Sequence, residues 1–156
     1  MRAVIARTPQ RRICASLLCI TTMAQERVCW LIDDDPAFHG LVSRALVEVG
    51  LATVSFYEAE ALLSRLDDQI ADPELIVADV MMPGMSGFAM VRALRMRPAL
   101  ARIPIIIATA RAEVGDAVLA AKLNATLMRK PFRIRDFIVT AERLIEFSQP
   151  IAVYRP

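Results

Sequence analysis

Short apolar runs alternate along the chain with longer segments in which apolar residues recur every three or four positions. Runs of the first kind are typical of buried β-strands, and the second spacing is typical of helices with one buried face. We therefore predict five strands, each followed by a helix. The predicted strands cover residues 28–32, 52–56, 75–78, 103–108 and 126–129, and the predicted helices cover residues 38–49, 59–70, 88–94, 114–121 and 134–145.

The order of these elements predicts an α/β fold. The first, third and fourth strands are almost purely apolar, as expected for parallel strands that helices cover on both faces. We predict a doubly wound, flavodoxin-like (βα)5 sandwich whose five-stranded parallel sheet has the order 2-1-3-4-5. The domain is expected to span residues 26–148, with an amino-terminal tail at 1–25 and a carboxyl-terminal tail at 149–156.

The composition favours a packed domain without a membrane span. Hydrophobic residues make up 56% of the 156 residues, and no apolar run reaches the roughly 20 residues that a membrane-spanning helix needs. Cys14, Cys19 and Cys29 form no CxxC pair and leave one cysteine unpaired under any bridging scheme. A reducing compartment is the simplest interpretation, so we expect a cytoplasmic location.

Positive charge is concentrated at the amino end of the chain. Four arginines and no acid lie in residues 1–22, so the formal net charge of +2 becomes −2 for residues 23–156. The positive net charge of the whole chain therefore indicates nothing about nucleic-acid binding by the folded part. The arginines precede a short apolar run that loosely resembles a secretory signal, a transit peptide or a membrane-surface anchor. We favour a simpler interpretation, in which translation starts at Met23.

Polar residues follow the predicted strands at the points where the strands end. Asp33 and Asp34 follow the first strand, Asp79 the third, Thr109 the fourth and Lys130 the fifth. The carboxyl ends of parallel strands share one edge of the sheet, where ligands of such folds bind. Strands one and three are neighbours in the predicted order, so we expect their carboxylates to lie close together.

This set of side chains is suited to phosphoryl transfer. Clustered carboxylates repel each other, and a bound divalent cation removes that penalty. A few hard oxygen ligands that leave room for water and phosphate suit Mg²⁺. Lys130 would add an ammonium from the far side of the same edge, and Thr109 a hydroxyl donor. Cations of this kind balance charge on the oxygens of a phosphoryl group that is transferred to Asp79.

Four stretches contain these strand ends: VCWLIDDDP, LIVADVMMPGMSG, IPIIIATA and RKPF. In this order and spacing they resemble the receiver domain of bacterial two-component response regulators. The resemblance covers residues 27–147, which is nearly all of the chain. It implies a stand-alone receiver similar to single-domain chemotaxis regulators, because the residues that follow are too few for a further output domain.

The resemblance implies a role for each acid of the cluster. Asp79 resembles the phosphoacceptor, and Asp33 and Asp34 resemble the acidic pair that holds Mg²⁺ (or Mn²⁺) directly or through water. Met81, two residues after the acceptor, would offer its backbone carbonyl to the metal. Asp33, Asp34, Asp79 and the Met81 carbonyl are therefore the predicted metal ligands.

The resemblance also implies roles for the fourth and fifth strand ends. Thr109 resembles the switch hydroxyl that moves onto the phosphoryl group, and Lys130 resembles the lysine that contacts it. The peptide bond between Lys130 and Pro131 is expected to be cis, as in relatives, which costs little before proline.

Several neighbouring residues have simpler interpretations. Asp35 and Ser86 are expected to cap the helices that follow them, which leaves Asp79 free for chemistry. His39, the one histidine of the sequence, is expected at the surface of the first helix. The methionines at 81, 82 and 85 are expected to pack in a loop, since no cysteine or histidine lies beside them.

The segment before Lys130 departs from the family pattern. Leu127 stands where many relatives carry Tyr or Phe as the conformational partner of the switch hydroxyl. Asn124 falls in a position where relatives have a small residue, and asparagine tolerates a left-handed helix end. Leu119, Leu123 and Leu127 form either an apolar face that docks a partner or an extension of the core.

These residues favour a receiver that accepts a phosphoryl group from a sensor histidine kinase or a phosphotransfer protein. Its output is expected to be binding to an unidentified downstream protein, without enzymatic turnover or direct DNA binding. One alternative is a Mg-dependent phosphatase of the haloacid-dehalogenase type, but Met81 stands where such enzymes carry a second acid. Another is a receiver-like binding module that takes no phosphate, against which the intact set of Asp34, Asp79, Thr109 and Lys130 argues.

Overall fold

The computed structural model describes residues 27–68 and 72–148. The predicted domain bounds, residues 26–148, stay a prediction. The predicted tails at 1–25 and 149–156, including the favoured start at Met23, lie outside the described residues.

Strands and helices alternate through the described residues, as predicted. The strands are β1 (Val28–Ile32), β2 (Ala52–Phe56), β3 (Leu75–Ala78), β4 (Ile105–Thr109) and β5 (Ala125–Arg129). The helices are α1 (Pro36–Glu48), α2 (Ala59–Ser64), α3 (Gly87–Arg95), α4 (Asp116–Lys122) and α5 (Ile134–Ser148).

The five strands form one parallel sheet in the order β2-β1-β3-β4-β5. This order confirms the predicted doubly wound, flavodoxin-like α/β fold. In the sheet, Ile32 at the end of β1 pairs with Phe56 of β2 on one side and with Ala78 of β3 on the other. The residues that directly follow β1 and β3 are therefore side by side at the carboxyl edge of the sheet.

Three strand boundaries differ from the prediction by one or two residues: both ends of β4 and the start of β5, which begins at Ala125. β4 begins at Ile105 because Pro104 has no N–H to donate to the ladder. The Pro104 carbonyl still accepts a bond from the Ile76 N–H at 3.0 Å. At the other end β4 continues to Thr109, which pairs with Arg129 of β5.

Two helices are shorter than predicted. α2 ends at Ser64, and the Arg65 and Leu66 amides bond to carbonyls three residues earlier, a tight turn that ends the helix. α4 begins at Asp116 because the preceding Gly115 has φ +101°, a left-handed conformation that cannot continue a right-handed helix. Val114, predicted to lie in this helix, is instead fully exposed before it.

Alternate residues of each strand pack into opposite layers of the core. Trp30 and Ile32 face the layer completed by α2, α3 and α4, whereas Cys29 and Leu31 face the layer completed by α1 and α5. This two-sided burial explains why the central strands are apolar at every position. Burial also raises the pKa of the Cys29 thiol, which keeps it protonated and unreactive.

The predicted helix caps are present. The Asp35 carboxylate accepts a bond from the Ala37 N–H at 2.8 Å at the start of α1. The Ser86 hydroxyl accepts one from the Ala89 N–H at 3.4 Å at the start of α3. Asn124, after α4, has φ +50°, the left-handed conformation expected there.

Arg95, at the end of α3, joins three segments of the chain. Its guanidinium donates to the carbonyl oxygens of Leu100, Ile103 and Leu123 at 2.8 Å each, and to that of Asn124 at 2.9 Å. Burial lowers the pKa of Arg95 from its usual value. The four carbonyl dipoles offset the cost of burying the charged guanidinium. The four hydrogen bonds fix the segment before β4 and the turn after α4 relative to α3.

Removal of this guanidinium is expected to destabilise the fold. Arg95→Met keeps the aliphatic stem but leaves four carbonyls without their donor, so we expect a loss of about 3 kcal/mol in the free energy of unfolding. Arg92→Met, at an exposed position of the same helix, is the matched control and should cost less than about 0.5 kcal/mol. Urea titration measures both, and equal losses would contradict the structural role of Arg95.

Candidate functional site

The carboxyl edge of the sheet brings together the predicted acids and the predicted lysine. Asp33 directly follows β1 and Asp79 directly follows β3, so the strand register places them next to each other. Lys130 follows β5 and extends across the edge. Its Nζ lies 2.6 Å from Asp33 Oδ2 and 3.3 Å from Asp79 Oδ1. Residues about fifty and a hundred positions apart in the sequence thus form one ion-pair network.

The second oxygen of each carboxylate is held by the backbone. Asp33 Oδ1 accepts a bond from the Asp35 N–H at 2.9 Å, and Asp79 Oδ2 accepts one from the Met81 N–H at 2.7 Å. In both cases the donor is two residues further along the chain, the geometry of an Asx turn. Both carboxylates are therefore fixed in orientation as well as in position.

The two carboxylates are almost entirely removed from solvent. Asp33 is 1% exposed and Asp79 is 5% exposed. Burial raises the pKa of the Asp33 carboxyl above its usual value, and the nearby charge of Asp79 adds to the increase. The hydrogen bonds from Lys130 and from the Asp35 amide act in the opposite direction but do not cancel the effect of burial. A further cation at this site would therefore stabilise the ionised form of Asp33.

Gly87 allows α3 to begin directly beneath Asp79. Its N–H donates to the Val80 carbonyl at 3.0 Å. A β-carbon at this position would overlap the Asp79 carbonyl group. The absence of a side chain is therefore a condition for the close approach of α3 to the end of β3.

His39 is buried, which shows that the predicted surface position was wrong. Its Nε2 lies 2.7 Å from the Asp33 carbonyl oxygen, and its Nδ1 lies 3.0 Å from Ser55 Oγ. The ring also packs on Tyr57, with 4.4 Å between ring centres. Because a carbonyl only accepts hydrogen bonds, Nε2 carries the proton, and the histidine ties the loop after β1 to β2. His39 lies three positions before Val42, so the two side chains share one face of the helix. This spacing is the sequence signal for the burial of His39.

Thr109 is fully buried, and its hydroxyl is bound within its own loop. Oγ1 donates to the Arg111 carbonyl at 3.2 Å and lies 3.3 Å from the Arg111 N–H. The Thr109 carbonyl accepts a bond from the Lys130 N–H at 2.8 Å, which joins the two strand ends. The role of Thr109 as a switch hydroxyl stays a prediction. The Lys130–Pro131 bond is cis, as predicted.

Asp34 directly follows Asp33 in the chain, and Met81 comes two residues after Asp79. Asp34 is exposed, and within residues 27–68 and 72–148 no three acidic, histidine or cysteine side chains converge on one point in a metal-binding arrangement. The Met81 side chain is 53% exposed, so it does not pack in the loop as predicted. Met82 is buried and Met85 packs against the core, in agreement with the prediction for these two.

The donor set at this edge fits Mg²⁺. Asp33 and Asp79 supply hard carboxylate oxygens, and the exposed Asp34 and the Met81 carbonyl lie nearby in the chain at the same edge. Mg²⁺ keeps several waters and needs only one or two carboxylates from the protein. Burial raises the pKa of Asp33 more than its contacts with Lys130 and the Asp35 amide lower it, which is consistent with a site that a further cation would stabilise.

The three leucines of the predicted partner face are partly buried. Leu119, Leu123 and Leu127 all pack against the core layer completed by α2, α3 and α4. This is the arrangement expected if they extend the core. The apolar side chains most exposed near α4 are Val114 and Val118. Docking of a partner at the leucines stays a prediction.

The described residues contain no helix long and apolar enough to cross a membrane.

Comparison with known proteins identifies the family. Residues 29–142 match the family described as the response regulator receiver domain. Because the match covers well over half of the chain, the chain belongs to this family. Receiver domains act in two-component phosphorelay signalling, bind Mg²⁺ for phosphorylation, and interact with histidine kinases or phosphotransfer proteins.

Curated relatives include longer transcription regulators. The chain is 31% identical over 126 residues to the DNA-binding transcriptional regulator NtrC of Salmonella typhimurium, an alignment that covers 80% of this chain and 26% of that protein. It is 32% identical over 119 residues to the transcriptional regulatory protein CpxR of Escherichia coli, covering 76% of this chain and 49% of that protein. The chain thus spans about a quarter to a half of the length of these relatives.

Solved structures share the fold. The signal receiver domain of a signal transduction histidine kinase from Syntrophus aciditrophicus has a TM-score of 0.70 at 24% identity, covering 83% of this chain and 98% of that one. The chemotaxis response regulator CheY4 of Vibrio cholerae has a TM-score of 0.67 at 24% identity. The alignment covers 76% of this chain and 98% of that one. At this level of identity the likeness shows the shared fold alone.

Neutralisation of Asp33 is expected to stabilise the protein at neutral pH in the absence of Mg²⁺. A raised pKa means that the ionised form of Asp33 weakens the fold above that pKa, whereas the protonated form does not. Asp33→Asn should therefore unfold at a higher urea concentration than the native protein at pH 7. The difference should shrink as the pH falls through the raised pKa and disappear below about 4, the usual range of aspartate.

Asp35→Asn is the matched control for this comparison, because Asp35 is exposed and asparagine also caps helices. It should show no gain at pH 7. An Asp33→Asn protein that is less stable than the native protein at pH 7 would show that the bond to Lys130 outweighs burial.

Substitution of Gly87 is expected to disturb the site through the backbone. The new β-carbon in Gly87→Ala would force α3 away from Asp79, so we expect a loss of about 2–3 kcal/mol in unfolding free energy and weaker Mg²⁺ binding. Gly40→Ala, in α1, has open space around the added carbon and should stabilise the helix by about 0.5–1 kcal/mol. Urea titration and calorimetric Mg²⁺ titration measure both effects. Unchanged Mg²⁺ affinity in Gly87→Ala would contradict this role of the close approach.

Proposed function

We propose that this receiver accepts a phosphoryl group on Asp79 in a Mg-dependent phosphorelay. The observation that carries the proposal is the network of Lys130 with Asp33 and Asp79 at the carboxyl edge of the sheet. It combines a buried carboxylate nucleophile, a neighbouring carboxylate suited to a metal, and an ammonium within ion-pair distance of both.

The proposed donor is a sensor histidine kinase or a phosphotransfer protein that carries phosphohistidine. A bond forms between an Asp79 carboxylate oxygen and phosphorus as the bond between phosphorus and the imidazole nitrogen breaks. The bonding electrons return to the imidazole, which takes up a proton. Most of the catalysis in such a transfer comes from alignment and from cations that balance charge on the phosphoryl oxygens.

Each residue of the site has a separate task in this proposal. The Met81 N–H orients the Asp79 carboxylate, and Lys130 balances charge on the incoming phosphoryl group. Asp33, Asp34, Asp79 and the Met81 carbonyl would hold Mg²⁺ (or Mn²⁺), which supplies positive charge against the phosphoryl oxygens when bound. Thr109 would leave its bonds to Arg111 and turn toward the phosphoryl group, so that phosphorylation changes the loop before α4.

We further propose that the receiver acts as a stand-alone cytoplasmic unit that signals by binding another protein, without enzymatic turnover. The proposal is motivated by the family match, which assigns residues 29–142 to a receiver domain. NtrC and CpxR extend well beyond the matched region, so the fusion of a receiver to an output domain is the competing arrangement. A receiver-like module that takes no phosphate, and a phosphatase, are the competing functions.

The test of the acceptor is intact-mass analysis after incubation with acetyl phosphate and Mg²⁺. We expect one added phosphoryl group per chain. The adduct should not form when EDTA is added before the donor, and it should not form in Asp79→Asn. Asp35→Asn is the control, because its carboxylate caps α1 and takes no part in the network; it should form the adduct normally.

The competing functions predict different outcomes of the same experiment. A phosphatase would turn over many equivalents of a chromogenic phosphate ester, and a binding module would show neither adduct nor turnover. An adduct that persists in Asp79→Asn would contradict the assignment of the acceptor.

A further inference from the structure

The ammonium of Lys130 has a third neighbour besides the two carboxylates. Its Nζ lies 3.7 Å from the centre of the Phe38 ring, in addition to its contacts with Asp33 and Asp79. An ammonium has three N–H bonds. Two are directed to carboxylate oxygens, and the ring face covers a further side of the group.

The Phe38 ring is itself fixed by other aromatic rings. It makes an edge-to-face contact with Phe132, with 6.1 Å between ring centres and an interplanar angle of 81°. Phe132 in turn stacks on Phe137 of α5, with 5.8 Å between centres. Phe38 is 7% exposed and Phe137 is fully buried. The ring that faces Lys130 is therefore held from behind by the α5 layer of the core.

We propose that Phe38 is a positioning residue for phosphoryl transfer, whose ring face holds the Lys130 ammonium at the Asp33–Asp79 edge. The proposal rests on the function assigned to Asp79 above. The face of a phenyl ring carries partial negative charge, and its attraction for a cation increases where water is excluded. Asp33 and Asp79 provide such surroundings, since both are nearly fully buried.

The ring contact has a property that the two carboxylate contacts lack. Binding of a metal by Asp33 and phosphorylation of Asp79 both reduce the attraction of these carboxylates for Lys130. The attraction of the Phe38 ring depends on neither event. Phe38 thus keeps the long, flexible lysine side chain in place while the charges around it change.

Fluorination of the ring separates this role from simple packing. Mono-, di- and trifluorophenylalanine at position 38 progressively weaken the negative ring face with little change in shape. We expect the rate constant of adduct formation with acetyl phosphate, at saturating Mg²⁺, to fall stepwise and to reach about a tenfold loss for the trifluoro ring. The same series at Phe56, a buried ring in contact with Trp30 on β1, is the control and should leave the rate unchanged.

A second measurement needs no phosphodonor. Trifluorophenylalanine at position 38 should lower the Tm in the native background more than in Lys130→Met, which has no cation above the ring. Two results together would overturn the proposal: a rate constant of adduct formation that is the same for all fluorinated rings, and equal Tm shifts in the two backgrounds. They would show that Phe38 only fills the core. Absence of adduct in the unsubstituted protein would instead refute the function of Asp79, and with it any role of Phe38 in transfer.

Discussion

The ion pairs of one ammonium with two carboxylates are the interaction on which this site depends. Asp33 and Asp79 are buried on neighbouring strands, where two unpaired charges would cost several kcal/mol each. Lys130 compensates one of the two charges and leaves one negative charge uncompensated. A divalent cation together with an acyl phosphate, which carries about two negative charges, would bring the site close to neutrality. The unphosphorylated site is thus short of positive charge, and this favours cation binding.

The positions of the acids and the lysine could be predicted from the sequence because they follow from the strands. Apolar runs mark where strands end, and the parallel sheet brings those ends to one edge. Only the order of strands was needed to place Asp79 beside Asp33. Lys130 was also predicted from its strand end, and its side chain extends past β4 to reach Asp79 and past β4 and β3 to reach Asp33. The contact depends on the register of β4 and β5, which pairs Thr109 with Arg129.

The features that could not be predicted depend on side-chain packing and on loop backbone. His39 was predicted at the surface of the first helix, although it shares a helix face with apolar residues. Its burial depends on two partners, the Asp33 carbonyl and Ser55, that only the tertiary fold supplies. The bonds of Thr109 to Arg111 likewise follow from the path of the loop after β4. For Leu127 the sequence left a partner face and a core extension open, and in the structure the side chain packs against the core.

The two ends of α4 are attached very differently to the rest of the molecule. At its carboxyl end, Arg95 binds the carbonyls of Leu123 and Asn124. At its amino end, Gly115 has an open, left-handed backbone, and of the helix residues only Ala120 is buried. A rearrangement of the loop after β4 would therefore rotate α4 about its carboxyl end. The largest displacement would fall on the exposed Val114 and Val118, at the free end.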